Sequence, residues 1–190
     1  MNKTLIVIGV VIGLILLLLI PVGMYFGFYN ETTVLKNEVE AQLKQVDNQL
    51  QRRFDLIPNL VNTVKGYAKH ETEIFTGIAE ARSRLAGAGT VRERAEANAQ
   101  FESALSRLLV VVENYPQLKA NEQFNRLMDN LEGTENRLSV ERKRYNDLVR
   151  QYNTKIALFP GNIFAGMMGL QKLDYFEVPE QARQNPSVNF

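Results

Sequence analysis

Apolar positions fall into three patterns along this chain. From Leu5 to Tyr29 they form a run without one charged residue, LIVIGVVIGLILLLLIPVGMYFGFY. About 20 apolar residues suffice for a helix to cross the hydrocarbon layer, so this run predicts a membrane span. From Leu35 the apolar residues become periodic: Leu35, Val39, Leu43, Val46, Leu50, Phe54, Ile57, Val61, Val64 and Ala68 recur at roughly 3.7 residues per step, a helical stripe that stays nearly straight. Pro58 lies within the stripe without shifting its phase, which predicts a kink rather than a loop. Ile74, Phe75, Ile78 and Leu85 extend the stripe to the stop at Gly87-Ala88-Gly89, so residues 31–86 read as one rod of about 80 Å.

The third pattern follows two boundary signals. Thr90-Val91-Arg92-Glu93 has the form of a capping box and predicts a second helix running to about Asn114, with Ala97, Phe101, Leu105, Leu108 and Val112 inward. Tyr115-Pro116 ends it, because proline disfavours helical geometry in the residue before it. A third helix, from about Leu118 to Leu158, carries Phe124, Leu131, Leu138, Tyr145, Tyr152 and Phe159 seven residues apart. A second row, Met128, Glu135, Arg142, Val149 and Ile156, completes a heptad seam. Glu135 and Arg142 interrupt that row. They read as the place where the seam meets water, the alternative being a polar pair that fixes register. After Phe159-Pro160-Gly161 a short amphipathic piece carries Ile163, Phe164, Met167, Met168, Leu170 and Leu173. Residues 177–190 hold two prolines and no stripe, and are expected to be disordered. The expected fold is all-α: a transmembrane anchor at 1–30, then an elongated antiparallel helical bundle at 31–176 with coiled-coil-like packing.

A cleaved signal peptide is disfavoured because no A-x-A-like site follows the apolar run; the first alanine is Ala41. Tyr25, Phe26, Phe28 and Tyr29 cluster at the end of the run, where aromatic rings prefer the headgroup boundary. Gly9 with Gly13, and Gly23 with Gly27, form two G-x-x-x-G motifs that favour close helix association, although glycine is also common in membrane helices generally. Basic residues nearly tie on the two sides of the span, which leaves its orientation open.

Charge and chemistry narrow the function. Lys3 is the only charged side chain before Glu31, so residues 31–190 balance at 21 basic against 21 acidic, and no electrostatic footprint for nucleic acid exists. The chain has no cysteine, hence no disulfides, thiolate sites or lipoprotein anchor. His70-Glu71-Thr72-Glu73-Ile74 starts like a zinc-protease motif, but His70 is the sole histidine and Ile74 stands where the second would be. Phosphate-loop, nucleophile-elbow and dinucleotide motifs are absent. The expectation is a non-enzyme without catalytic residues, cofactor or metal. Arg52, Arg53 and Asp55 beside Pro58 are a candidate partner surface, set against a purely local role in the bend.

Several segments together resemble the bacterial LemA family: Gln42-Leu43; the run from Gln51 to Val61, QRRFDLIPNLV; Thr63 to Ala68 and His70-Glu71; Glu113 to Asn121, ENYPQLKAN; Arg144-Tyr145-Asn146 with Tyr152-Asn153; and Ala157 to Pro160. The resemblance implies a single-pass protein of the bacterial cell (inner) membrane with a long antiparallel bundle, and it assigns no catalytic residue. Two roles follow as expectations. One is a scaffold that binds the lipid bilayer, forms a homo-oligomer and organises or shapes the membrane. The other is an adaptor of another membrane protein, such as a protease, transporter or signalling receptor.

Overall fold

A computed structural model describes residues 3–68 and 71–177, with side chains from Val7 onward. The expectations for His70 and for the tail beyond Glu177 lie outside the described residues. Among the described residues the chain is helical without strands: α1 Lys3–Lys65, α2 Thr72–Gly87, α3 Val91–Val112, α4 Pro116–Lys119, α5 Glu122–Ala157 and α6 Gly161–Met167. The described residues divide into two compact units. The anchor unit joins α1 up to Glu40 to residues 148–173, and the bundle unit joins residues 41–147 to the segment from Asp174.

The bundle unit is built from α1 beyond Ala41, α2, α3 and α5 up to Asp147, in up-down-up-down order. Contacts fix the directions. Asp47 and Arg53 of α1 meet Arg94 and Asn98 of α3 in ascending order, whereas Gln42 and Arg53 meet Glu141 and Glu135 of α5 in descending order. The core draws on every one of these helices and on α4: Ile57, Leu60, Val64, Phe75, Ile78, Phe101, Leu105, Leu108, Leu118, Phe124 and Leu131 are buried together.

One expectation is overturned. The stripe does not continue as a single helix to Gly87: α1 ends at Lys65, and α2 begins only at Thr72. Gly66 opens the break, and the Tyr67 and Ala68 amides both donate to the Val64 carbonyl. Helix α1 does run through Pro58, and the Thr63 hydroxyl donates to the Asn59 carbonyl one turn beyond it. Leu50, Val64, Leu131, Leu138 and Val149 are buried as the stripes require, while Leu43 and Val61 are only partly so. The seam ends earlier than its period suggests, since Phe159 lies past the end of α5 and is 80% exposed.

Local signals set the helix ends. Thr90 and Glu93 make the full capping box at α3. Pro116 sits at the first position of α4. The Asn121 side chain accepts from the Phe124 amide and caps α5. At the end of α6, Gly169 takes φ +65°, the left-handed geometry that glycine reaches without steric cost. The Gly169 amide donates to the Gly166 carbonyl and the Leu170 amide to the Ala165 carbonyl, which closes a Schellman motif.

Candidate functional site

In the bundle unit the most unusual feature is a charge at the centre of the helices. Arg53 is 6% exposed. Its Nη1 donates to Glu135 Oε2 at 2.6 Å, to Asn98 Oδ1 at 3.3 Å and to Glu102 Oε1 at 3.4 Å, so one guanidinium ties α1 to α3 and α5. Arg142 donates to Glu135 Oε1 at 2.8 Å and lies 3.8 Å from Glu102, and Asn98 Nδ2 donates to Glu102 at 2.7 Å. The Arg53 Cζ stands 5.3 Å from the centre of the Phe101 ring. Burial holds the Glu135 carboxyl above the ordinary carboxylate range, against the pull of Arg53 and Arg142.

This arrangement refines one sequence expectation and corrects another. Glu135 and Arg142 are partly exposed, by 32% and 25% at their side chains, so the seam does meet water there, and they also pair with each other. Arg53 is not available as a surface residue, because an isolated buried charge is so costly that it is seated only among partners. Arg52 and Asp55 are exposed as expected, and Asp55 accepts a hydrogen bond from Gln51. The cluster holds two cations and two carboxylates, all paired within it, which suits holding register and leaves no free charge for a ligand. Among the described residues no group of three or more His, Cys, Asp or Glu side chains is placed to hold a metal ion.

The Tyr-Asn repeats do more than fill the seam. In the bundle unit, Asn146 accepts from the Phe176 amide at 2.8 Å and donates to its carbonyl, while the Tyr145 hydroxyl donates to the Asp174 carbonyl. In the anchor unit, Asn153 grips Leu173 in the same two-way manner. Each asparagine thus takes the place of a neighbouring backbone for the segment after α6. The sequence signal was the repetition of Asn one residue after a seam tyrosine, at positions 146 and 153.

The anchor unit presents the candidate membrane span. Helix α1 contains an uncharged stretch long and apolar enough to cross a membrane, none of it buried. A Cβ built at Gly9, Gly13, Gly23 or Gly27 meets nothing within 4 Å, so both glycine faces are open to a neighbouring helix. At the other end of this unit Tyr152, Ile156 and Ala165 are buried together, with Phe28, Leu35, Leu170 and Leu173 packed against them.

An all-helical domain carried on a helix long and apolar enough to cross a membrane defines a membrane-associated helical protein. The LemA family model matches residues 42–190, and the chain belongs to that family. It is 26% identical over 175 residues to magnetosome protein MamQ 2 of Paramagnetospirillum magneticum, an alignment that covers 78% of this chain and 64% of that protein. It is 24% identical over 174 residues to magnetosome protein MamQ of Magnetospirillum gryphiswaldense, with the same coverage. It is also 24% identical over 174 residues to protein LemA of Metamycoplasma hominis, covering 89% of this chain and 80% of that protein. The chain therefore spans less than two thirds of the magnetosome relatives it matches.

Proposed function

We propose that this chain is a non-enzymatic scaffold, anchored by one span in the bacterial cell membrane, which self-associates and organises or shapes that membrane. The observation that carries the reading is the contrast between paired charges inside the bundle and uncovered apolar surface on the span. The charges inside the bundle are consumed by one another, while α1 exposes an apolar surface with two open glycine faces. Small residues at four-residue spacing let helix backbones approach closely in lipid. The membrane also concentrates and orients the copies, so weak lateral contacts become populated.

The test is the mass of the detergent-solubilised full chain across a dilution series, compared with a Gly9→Leu, Gly13→Leu variant. The native chain is expected to be oligomeric and the variant to dissociate at higher concentration. A monomer at every concentration, with helicity intact, overturns self-association.

A second reading, an adaptor for another membrane protein, draws on an open groove of about 620 Å³ between α2 and α3. Ile74, Gly77, Ala81, Ala104 and Val111 line it, with Glu73, Glu80, Arg84 and Arg107 at its sides. Crosslinking in native membranes separates the readings: a ladder of one protein supports the scaffold, and a single heterologous band supports the adaptor.

A further inference from the structure

We infer that the turn after α5 and the outer face of α6 form a second membrane contact, seated in the boundary between acyl chains and headgroups. This rests on reading the apolar part of α1 as a membrane span. Within the anchor unit, Leu158 and Phe159 of the turn and Ile163 and Met167 of α6 are exposed, Phe159 and Met167 by 80% and 72%. Gly161 and Ala165 face inward. The short helix is therefore apolar on its outward side as well as its inward one, and residues 156–171, between Lys155 and Lys172, carry no charge. In water such a surface has nothing to recommend it.

Its position along α1 identifies what covers it. Phe164 meets Tyr25 edge-on at 5.9 Å between ring centres and Phe28 at 5.6 Å. Met24, Phe28, Leu158, Phe159, Pro160 and Phe164 line one shallow recess. Gly161 lies so close to α1 that an added Cβ would come within 2.7 Å of the Phe28 ring. The turn and α6 thus sit at the aromatic end of the span, and a span of about 20 residues places that end at the headgroup boundary. Lys155, which also lines this recess, pairs with Glu31, so the first charges stand just beyond the aromatic end. The exposed patch is continuous with the lipid-facing surface of α1 and lies at one depth with it, so lipid rather than a second protein is its occupant.

The backbone is also suited to a place with little water, where unsatisfied amides and carbonyls are expensive. From the turn onward the Asn162 amide donates to Leu158, Ile163 to Pro160, Met168 to Phe164, Gly169 to Gly166 and Leu170 to Ala165. The element then resembles an interfacial helix held in the plane of the bilayer by its apolar face.

The chain has no tryptophan, so single tryptophans report cleanly. The full-length variants Phe159→Trp, Met167→Trp and, for the span itself, Phe26→Trp are reconstituted in vesicles of phosphatidylcholine and phosphatidylglycerol, with helicity checked by circular dichroism. The expected result is blue-shifted emission from all three. Lipids brominated near the headgroup should quench the 159 and 167 variants more than lipids brominated near the chain ends, and iodide should quench them little. Quenching of the Phe26→Trp variant alone, with the other two open to iodide, overturns the second contact and leaves the span standing. Absence of lipid quenching in Phe26→Trp removes the span and this inference with it. Shielding of the 159 and 167 variants from both lipid and iodide, relieved by lowering the protein-to-lipid ratio, assigns the patch to a second copy and overturns the lipid contact.

Discussion

In the bundle unit Leu60, Val64, Leu108, Leu118 and Leu138 are completely buried, and a central arginine is held by groups from two further helices. In the anchor unit the buried cluster is far smaller, Tyr152, Ile156 and Ala165 with their neighbours, while Leu17, Leu18, Phe159 and Met167 are all more than half exposed. Folding in water buries apolar area at roughly 25 cal/mol per Å² and leaves charges outside. The bundle unit follows that rule with one internally compensated exception. The anchor unit does not: it leaves a large apolar surface uncovered along α1 and at the turn after α5. The same helix, α1, contributes to both units, with no charge from Thr4 to Asn30 and an amphipathic stripe after Ala41.

Removing the exception should have the largest effect on this contrast. Arg53→Ala removes the buried cation and leaves Glu135 and Glu102 to Arg142 alone; because both carboxylates are about a third exposed, the cost should lie at or just below the lower end of the about 3–5 kcal/mol of a broken buried pair. Urea unfolding of the full chain in detergent, followed by circular dichroism, measures it. Arg53→Lys should recover only part of the loss, because a point charge cannot reach Glu135, Asn98 and Glu102 in the geometry of the guanidinium fork. A loss below about 1 kcal/mol for the alanine variant would show that the network is solvated and the contrast overstated.

Arg53 also marks the limit of what could be read in advance. The extent of α3, the capping box at Thr90, the boundary at Tyr115-Pro116 and the burial of Leu131, Leu138 and Val149 were legible because each depends on residues within a few turns. The seat of Arg53 depends on Asn98, Glu102 and Glu135, brought together by the fold from 45 to 82 residues away, and a charge beside an apolar stripe ordinarily points to water. The break after Lys65 escaped for a different reason. A returning helix resumes an apolar stripe of the same period, so periodicity does not distinguish a hairpin from a continuation, and Gly66 was the sole local sign. Of the candidate site residues, the glycines and Arg52 with Asp55 stand on open surface, where sequence reports exposure but not partner.

The next effect is on pH. Burial and the charge of Asp174 push the Tyr145 hydroxyl up to about 12 from an ordinary value of 10.0, with Arg94 pulling the other way. The folded chain therefore keeps this proton where the unfolded chain has lost it. The associated stability is fully present below pH 10 and is lost as pH rises toward 12, by about 2–3 kcal/mol in total. Unfolding midpoints across this range should fall more steeply for the native chain than for Tyr145→Phe. Equal slopes would place the hydroxyl in water.

Within the anchor unit the sharpest comparison is between two glycines of one short helix. Gly161→Ala drives a methyl against the Lys155 carbonyl and the Phe28 ring, whereas Gly166→Ala meets open space. The first should cost about 1–3 kcal/mol by overpacking, and the second should be neutral or slightly stabilising, since alanine favours helix. Thermal unfolding of the full chain in detergent distinguishes them. Equal behaviour would mean that α6 is not seated against α1, and the case for an apolar excess at that end would weaken with it.

The smallest expected change lies at the start of α3, where no core packing is involved. The Thr90 hydroxyl accepts from the Glu93 amide at 3.2 Å, and the Glu93 carboxylate accepts from the Thr90 and Gly89 amides at 3.0 and 2.8 Å. Those amides hold the Glu93 carboxyl below its ordinary value of 4.5. Thr90→Ala should cost about 1 kcal/mol, the usual worth of an N-cap. Glu93→Gln keeps the acceptor but not the charge, so its difference from the native chain should be present above pH 4.5 and vanish as acid protonates Glu93 through its lowered pKa. Unfolding midpoints of the native and Glu93→Gln chains measured on both sides of that pH give the answer. A difference that persists unchanged into acid would mean that the carboxylate acts through packing rather than through its charge on the exposed amides.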